Sequence, residues 1–262
     1  MAATAPLIRV APPVASTARR VLAVRVAIVL AVLAAWQALA MSGLLFRDVV
    51  PSLAAIAIAL AKLLGNAEFY RNLALTLSEI GLALVIGGVG GLFVGLLLGA
   101  NPFLARAFEP YVYYLGPTPK IIFFPIMIMW FGVGSGSKIA MGALSCFFPI
   151  CISIAAGMRQ IEPVLVRVGR SFRASPWQMT TRIYLPAMRQ PIVNGIRLGL
   201  GIAIIGTLLA ETKLSNRGLG YLIIQAYSLF DMPKMYALLI VLFVIAIGAN
   251  ALVGRLTRRA AP

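Results

Sequence analysis

The sequence has little of what catalytic and metal sites use. It contains no histidine, two cysteines and seven acidic residues in 262 positions. Acid–base and nucleophilic catalysis need paired titratable groups, whereas the acidic residues stand singly along the chain. They are Asp48, Glu68, Glu79, Glu109, Glu162, Glu211 and Asp231. The composition therefore does not indicate an enzyme.

The two cysteines do not make a recognisable site either. Cys146 and Cys151 lie five positions apart within one apolar stretch, so on a helix their side chains point to different faces. This spacing is poor for a metal site or a disulfide. We interpret both residues as small members of an apolar core.

Charged residues are also scarce. They make up 11% of the chain, whereas 61% is hydrophobic and the mean hydropathy is +0.96. Because soluble domains carry about a quarter charged residues, this composition predicts an integral membrane protein. The net charge of +16 does not indicate nucleic-acid binding, because the basic residues lie in loops and at the ends of apolar runs, not in one stripe interleaved with aromatics.

Long apolar runs predict an all-helical protein with six transmembrane helices, since each is long enough for a hydrocarbon layer of about 30 Å. The predicted spans are residues 26–46, 73–99, 110–131, 138–157, 192–210 and 236–254. Short helices are predicted over 51–65, at the far interface, and over 221–230. Residues 1–18 are predicted to be a disordered cytoplasmic tail, which leaves 19–259 as one transmembrane domain. A signal peptide is the alternative for the first run.

The basic residues predict the orientation. With both termini in the cytoplasm, 15 of the 23 lysines and arginines fall on the cytoplasmic side and seven on the far side, which agrees with the positive-inside rule. Lys120 belongs to neither group, because it lies about ten residues into the third predicted span. It either attracts an anionic solute into a cavity or reaches the cytoplasmic interface along its flexible side chain.

Prolines interrupt the same span. Pro119 and Pro125 cannot donate a backbone N–H, so they kink the helix and free carbonyl groups that neighbours or a water-filled cavity must satisfy. We therefore group both prolines with Lys120 as candidate pathway residues.

Glycines recur every four positions in two spans. They are Gly87, Gly91, Gly95 and Gly99 in the second span, and Gly195 and Gly199 in the fifth. Such a bare helix face lets two membrane helices approach closely. We predict helix packing for these residues, not ligand binding.

Residues Met158 to Asn194, here called the arginine-rich segment, are too polar to lie in a bilayer and are predicted to be cytoplasmic. Ser175-Pro176 predicts a helix start, and Pro186 predicts that this helix ends near Tyr184. A short, basic, exposed helix suits the docking of another protein. Trp177 is then either a docking anchor or a tryptophan at the headgroup level.

This segment resembles the cytoplasmic EAA loop of the permease subunits of binding-protein-dependent ABC importers. The loop's pattern is Glu-Ala-Ala, three residues, Gly, nine residues, and Ile-x-Leu-Pro. Ile183-Tyr184-Leu185-Pro186 matches its end, whereas Arg167-Val168-Gly169 stands at the Glu-Ala-Ala positions and Arg173 at the Gly position. Because an arginine tolerates a sharp turn poorly, we expect Ala174-Ser175-Pro176 to provide the bend.

Outside the segment, the resemblance narrows to the nitrate, sulfonate and taurine permeases and extends from about Ser52 to Asn250. It rests on Pro125, Trp130-Phe131-Gly132-Val133-Gly134, Lys138-Ile139, Phe147-Phe148-Pro149, Gly195-x-Arg197, Ala210-Glu211 and Gly218-Leu219-Gly220. It implies the MetI-like ABC importer permease fold in a bacterial inner membrane.

The resemblance also implies partners. These are an ABC ATPase, a solute-binding protein on the far side, and a second permease copy or a close relative. No cofactor is implied for this chain, because the ATPase would bind the ATP. The implied ATPase-docking residues are Arg167, Gly169, Arg170, Arg173, Ala174, Ser175, Pro176, Trp177, Leu185 and Pro186.

An ion-coupled secondary carrier is the rival prediction. Such carriers usually have internal repeats and intramembrane acids, whereas this sequence shows no convincing repeat and no acid deep in a predicted span. We expect Glu211, which follows the fifth span, to pair with Lys213 or Arg217. The run Gly132 to Lys138 lacks the order of a phosphate-binding loop. The sequence therefore favours a permease for a small, anionic solute over the carrier and over a membrane enzyme.

Overall fold

The computed structural model describes residues 15–43 and 49–259, and all regular secondary structure within them is helical. The helices are α1 (Ala15–Met41), α2 (Leu53–Leu64), α3 (Ala67–Ala100), α4 (Pro102–Leu115), a 3₁₀ turn (Lys120–Phe123), α5 (Phe124–Phe131), α6 (Ser135–Arg159), α7 (Pro163–Ser171), α8 (Pro176–Met179), a π-helical turn (Thr180–Tyr184), α9 (Leu185–Ala187), α10 (Arg189–Lys213), α11 (Leu219–Ser228) and α12 (Met232–Arg259).

Five of these helices are long and apolar enough to cross a membrane: α1, α3, α6, α10 and α12. A sixth span is possible if Pro102–Leu115 and Lys120–Phe131 count together, although the two pieces meet at 93°. The predicted all-helical membrane fold is confirmed.

The third predicted span is not a single kinked helix. It is two helical pieces at a right angle, because Pro117 and Pro119 remove consecutive chances for a backbone N–H to continue α4. Arg106 lies inside α4.

Helices α3, α6 and α10 form the centre of the fold. The glycines of α3 lie against α6 so closely that a methyl group at Gly91 would come within 2.7 Å of the Phe147 carbonyl oxygen. One at Gly87 would come within 2.5 Å of Cys146 Sγ, and Gly99 faces Met158. Close backbone approach of this kind is how membrane helices associate without a hydrophobic driving force.

Helix α10 packs beside α3 on an adjoining side of α6. A methyl group at Gly195 would lie 3.0 Å from Ser153 Cβ, and one at Gly199 would lie 2.5 Å from Ile150 Cδ1. Cys146 and Cys151 are buried free thiols of α6, which confirms their interpretation as core residues. Helix α6 thus contacts glycine-bearing faces of both α3 and α10.

The remaining helices surround this centre. A second apolar cluster joins α2, α11 and α12 to α3 and α10, with Leu63, Leu219 and Leu238 among its buried members. Helix α1 touches the rest near its end, where Trp36 Nε1 donates to the Pro51 carbonyl oxygen at 3.1 Å.

The predicted N-terminal tail differs from the structure where the two can be compared. Residues 15–18 belong to α1, whereas residues 1–14 lie outside the described residues, as do Arg47 and Asp48. Helix α1 ends at Met41, five residues before the predicted end of the first span.

Candidate docking and pathway sites

The first helix of the arginine-rich segment, α7, was not predicted, although Pro163 at its start is a helix-initiation signal. It ends in a Schellman motif: the Ala174 N–H donates to the Gly169 carbonyl at 3.0 Å, and the Arg173 N–H donates to the Arg170 carbonyl at 2.9 Å. Arg173 adopts the left-handed conformation that this motif requires, with φ of 50°.

The bend therefore lies at Arg173, and the expectation that residues 174–176 replace it is wrong. The turn is fixed by the hydrogen bonds that close α7, so Arg173 itself makes the turn at the Gly position of the family pattern. Left-handed backbone costs a non-glycine residue about 1–2 kcal/mol.

The predicted helix start at Ser175 is confirmed. The Ser175 hydroxyl accepts from the Gln178 N–H at 3.2 Å, and Gln178 Oε1 accepts from the Ser175 N–H at 2.8 Å. This reciprocal capping box satisfies two donors at the exposed helix end.

The predicted end near Tyr184 is wrong. Helix α8, the π-helical turn and α9 run on to Ala187 and are here called the composite helix, residues 176–187. Within it, the Leu185 N–H reaches back to the Thr180 carbonyl. The wide turn begins a new helical register, so Pro186 falls in a first turn, where its missing N–H is tolerated.

Helix α7 and the composite helix pack into one unit. Gly169 is buried between them, and a methyl group there would lie 2.5 Å from Met179 Sδ and would also meet Ile183 Cδ1. The predicted docking residues divide accordingly. Gly169 is buried, Ala174 and Leu185 are half-buried, and Arg167, Arg170, Arg173, Ser175, Pro176, Trp177 and Pro186 are exposed.

The outer surface of this unit, here called the docking surface, combines arginines with apolar side chains. Phe172 and Trp177 are 83% and 75% exposed. Behind it, a largely apolar groove of about 740 Å³ separates the composite helix from α3, with Arg170 as its one charged lining residue among those described. Large exposed apolar side chains beside positive charge suit a protein partner.

Lys120 forms hydrogen bonds across the break between α4 and the 3₁₀ turn. Its Nζ donates to the carbonyl oxygens of Gly116 and Thr118, the latter at 3.2 Å, and lies 5.2 Å from the centre of the Phe148 ring. A cation at the Gly116 carbonyl is favourable, because this carbonyl lies at the C-terminal, negative end of the α4 dipole. Pro119 and Pro125 are both exposed beside it.

An ion pair connects the same span to the arginine-rich segment. Arg159, the last residue of α6, pairs with Glu109 on α4. The end of the central helix therefore contacts the helix that leads into the break.

The sequence interpretation missed a buried polar cluster at the other end of α3, α6 and α10. Glu211 accepts from the Thr76 hydroxyl at Oε1 and from the Gly220 N–H at Oε2, both at 2.6 Å. Its expected ion pair with Lys213 or Arg217 is wrong, because α10 continues to Lys213 and turns Glu211 inward.

Both acids of this region are buried in the protein. Glu79 on α3 and Glu211, near the end of α10, are 2% and 1% exposed. A sequence signal existed: Asn72, Thr76 and Glu79 recur at helical spacing on the face that continues to Gly87.

Comparison with known proteins gives consistent results. Residues 87–262 match the protein family described as the inner membrane component of binding-protein-dependent transport systems. A putative aliphatic sulfonates transport permease protein of Bacillus subtilis is 30% identical over 87% of this chain and 83% of its own length. The taurine transport system permease protein of Escherichia coli is 31% identical over 73% of this chain and 71% of its own.

More distant similarities agree. The nitrate import permease protein of Synechococcus elongatus is 27% identical over 59% of this chain and 55% of its own length. A chain of the MetNI methionine ABC transporter, in an inward-facing conformation, superposes with a TM-score of 0.67 at 21% identity, over 74% of this chain and 96% of that one. The last comparison confirms the predicted fold.

Proposed function

Since the chain belongs to the family of inner membrane components of binding-protein-dependent transport systems, we propose that it forms part of the translocation pathway of an importer driven by a separate ABC ATPase. The chain is the permease component, and it is not an enzyme. The observation that supports ATPase docking best is the docking surface, which is exposed, basic and held rigid by two capped helices.

Rigidity matters because a docked motor moves the permease only through a stiff contact. The capping box at Ser175 and the Schellman motif at Arg173 each hold one end of a short helix, and the packing around Gly169 holds the two helices together. The segment continues directly into α6 and α10. Movement of the ATPase subunits would therefore reach the central helices without an intervening flexible linker.

We propose that the arginine-rich segment faces the cytoplasm, that two copies of the chain, or one copy and a close relative, enclose the pathway, and that a solute-binding protein docks on the far side. Similarity to permeases named for sulfonates, taurine and nitrate supports a small anion as the solute. ATP-driven closure of the ATPase would reorient the spans around a central cavity. The ATPase, and not this chain, would bind the nucleotide.

The docking proposal is tested by copurification with candidate ATPase subunits from the same genome. Trp177→Ala and the double charge reversal of Arg170 and Arg173 to Glu should each lower ATPase recovery at least tenfold, since an interface anchor contributes about 2 kcal/mol or more. Trp130→Ala is the matched control, because Trp130 is 72% exposed but lies on α5. Equal recovery with both tryptophan variants would contradict the proposal.

The rival mechanism is tested in the same preparation. Uptake into proteoliposomes that contain the permease, the ATPase and the binding protein should need ATP. Uptake by the permease alone, driven by a proton or sodium gradient, would favour the secondary carrier. A panel of sulfonate, taurine, nitrate and a neutral solute identifies the class that is transported.

A further inference from the structure

A pocket of about 500 Å³ lies between α2 and the start of α12, here called the α2–α12 pocket. It is at the end of the molecule opposite the arginine-rich segment, because α10 leads away from that segment to α11 and α12. The transport mechanism proposed above assigns no role to it. Its lining combines apolar side chains, among them Ile58 and Leu63, with the polar residues Lys62, Asn66, Asp231 and Lys234.

Helix α2 is too apolar to lie in water. Lys62 is its one charged residue, and the others are leucine, isoleucine and alanine. Ile58 and Leu64 remain 58% and 47% exposed, so apolar side chains cover its outer surface as well. With 12 residues, α2 is about 18 Å long, which is too short for a hydrocarbon layer of about 30 Å. Such a helix lies at the membrane boundary, with the Lys62 ammonium group among the lipid headgroups.

Aromatic side chains indicate the same level. The Trp36 ring, near the end of the spanning helix α1, lies 5.2 Å from the Tyr236 ring, near the start of the spanning helix α12. Trp36 Nε1 also donates to the Pro51 carbonyl oxygen, just before α2. Tryptophan and tyrosine are enriched where the hydrocarbon meets the headgroups. Lys234 stands two positions before Tyr236, so both lysines of the pocket lie at headgroup level.

The two lysines are available to bind an anion. Neither ammonium group forms a hydrogen bond or an ion pair with another of the described residues. Asp231 instead accepts from the Lys234 backbone N–H at Oδ1, at 3.2 Å, and so caps the start of α12. Asn66 Oδ1 accepts from the Glu68 N–H at 2.8 Å, which leaves the Asn66 NH₂ group to donate. Two lysines and one aspartate give the lining a net charge of +1.

This combination of groups fits a phospholipid better than a free anion. A phosphate accepts hydrogen bonds from the ammonium groups, while an acyl chain covers Ile58 and the outer surface of α2. A free anion would use the lysines but leave the apolar part of the lining in water, which is unfavourable. Basic pockets between membrane helices are typical sites for lipid phosphates. A lipid with a net charge of −1 neutralises the lining.

We propose that the α2–α12 pocket binds an anionic phospholipid, such as phosphatidylglycerol, with its phosphate at Lys62 and Lys234 and an acyl chain along α2. The bound lipid attaches the interfacial helix α2 to the start of the spanning helix α12. The proposal does not depend on which solute or ATPase the chain uses.

Tryptophan quenching in vesicles tests the site, because one of the three tryptophans of the chain adjoins it. In the full-length chain with Trp130→Phe and Trp177→Phe, Trp36 is the remaining fluorophore. The protein is reconstituted in phosphatidylcholine with lipids brominated on their acyl chains. Brominated phosphatidylglycerol should bind beside Trp36 up to about thirtyfold better than brominated phosphatidylethanolamine, since each lysine contributes about a factor of five. Lys62→Gln or Lys234→Gln should leave about a fivefold preference, and the double variant should show none.

Two control variants isolate the charge of the pocket. Lys213→Gln removes an exposed lysine at the same end of the molecule but outside the lining, and it should keep the wild-type preference. Replacement of both Lys62 and Lys234 by arginine keeps the charge and should also keep the preference. Equal quenching by the two lipids in the wild type, or an unchanged preference in the double glutamine variant, would overturn the proposal.

Two further measurements distinguish the lipid from other anionic partners. Glycerol phosphate has the phosphate without acyl chains, so an excess of it should not displace brominated phosphatidylglycerol; full displacement would identify a site for small anions and overturn the proposal. Binding of a candidate solute-binding protein is measured in nanodiscs without anionic lipid. If the double glutamine variant weakens that binding and keeps the lipid preference, the lysines contact a protein and the proposal is wrong.

Discussion

The contact between α3 and α6 can be tested with two alanines on one helix. At Gly95 an added methyl group would lie 2.7 Å from both the Cys151 carbonyl oxygen and Ile154 Cβ, and Cβ atoms essentially never come closer than 3.0 Å to other atoms. At Gly81, also on α3, nothing lies within 4 Å. The same substitution therefore meets a backbone at one position and open space at the other.

The expected effects have opposite sign. Neither the carbonyl nor a Cβ atom can rotate away, so Gly95→Ala must push the helices apart, and over-packing of this kind costs about 1–3 kcal/mol. Gly81→Ala meets no such contact and gains up to about 1 kcal/mol from the better helix propensity of alanine. The free energies of unfolding of the two variants should differ by roughly 2–4 kcal/mol.

Reversible unfolding in bicelles, followed by a change in tryptophan fluorescence, measures this difference. A third variant tests whether the rigidity of the contacted atom matters. A methyl group at Gly199 would lie 2.5 Å from Ile150 Cδ1, which is the movable end of a side chain. Gly199→Ala should therefore lower the stability less than Gly95→Ala does. If Gly81→Ala and Gly95→Ala have equal stability, the helices are not held by close backbone approach. If Gly199→Ala costs the most, rigidity of the contacted atom is not what matters.

Three further changes test other contacts. Arg173→Gly removes a left-handed strain of about 1–2 kcal/mol, and the added backbone entropy of glycine in the unfolded chain offsets part of this gain, so the variant should be more stable by up to about 1 kcal/mol. Arg173→Val should be less stable than the wild type. Equal melting temperatures of the two variants would contradict a left-handed backbone at Arg173. Lys120→Met should lower the stability by roughly 1–3 kcal/mol, because two carbonyls at the break lose their donor; loss of anion uptake at unchanged stability would place Lys120 in the pathway instead. Glu109→Arg and Arg159→Glu should each reduce the solute transported per ATP hydrolysed, and the double swap should restore it; failure of that rescue would mean that the ion pair does not couple the two segments.

Local signals in the sequence were sufficient wherever one short stretch decides the structure. Hydropathy located the central spans, since each must be apolar along its own length, and the pattern Ser175-Pro176 located a helix start that depends only on residues 175–178. The four-residue spacing of Gly87 to Gly99 predicted a packing face, although it did not identify α6 as the partner helix. In each case the information lies within one turn or one helix.

The sequence did not predict features whose geometry depends on residues far apart in the chain. Prolines showed that the third span is broken but not that its pieces meet at 93°, because that angle depends on Phe124 packing against Met141 of α6 and Ala210 of α10. Thr76 and Glu211 lie far apart in the sequence, and they are hydrogen-bonded only because α3 and α10 pack against each other. The family pattern placed the turn at Arg173, which is correct. The argument that an arginine tolerates a turn poorly placed it at residues 174–176, which is wrong.

The distribution of contacts also indicates which part of the chain is able to move. Helices α3, α6 and α10 touch through glycines and backbone carbonyls, and such contacts leave no space for one helix to slide or rotate without a clash. The broken span touches the centre at fewer places, and its exposed apolar side chains include Met129, at 83% exposure. It meets the centre through Phe124, through Phe131 beside Gly136, through Leu104 and Val112, and through the Glu109–Arg159 pair. A displacement of the arginine-rich segment therefore has a route along α6, and through the Arg159–Glu109 pair it also reaches the broken span, which has fewer contacts with the centre.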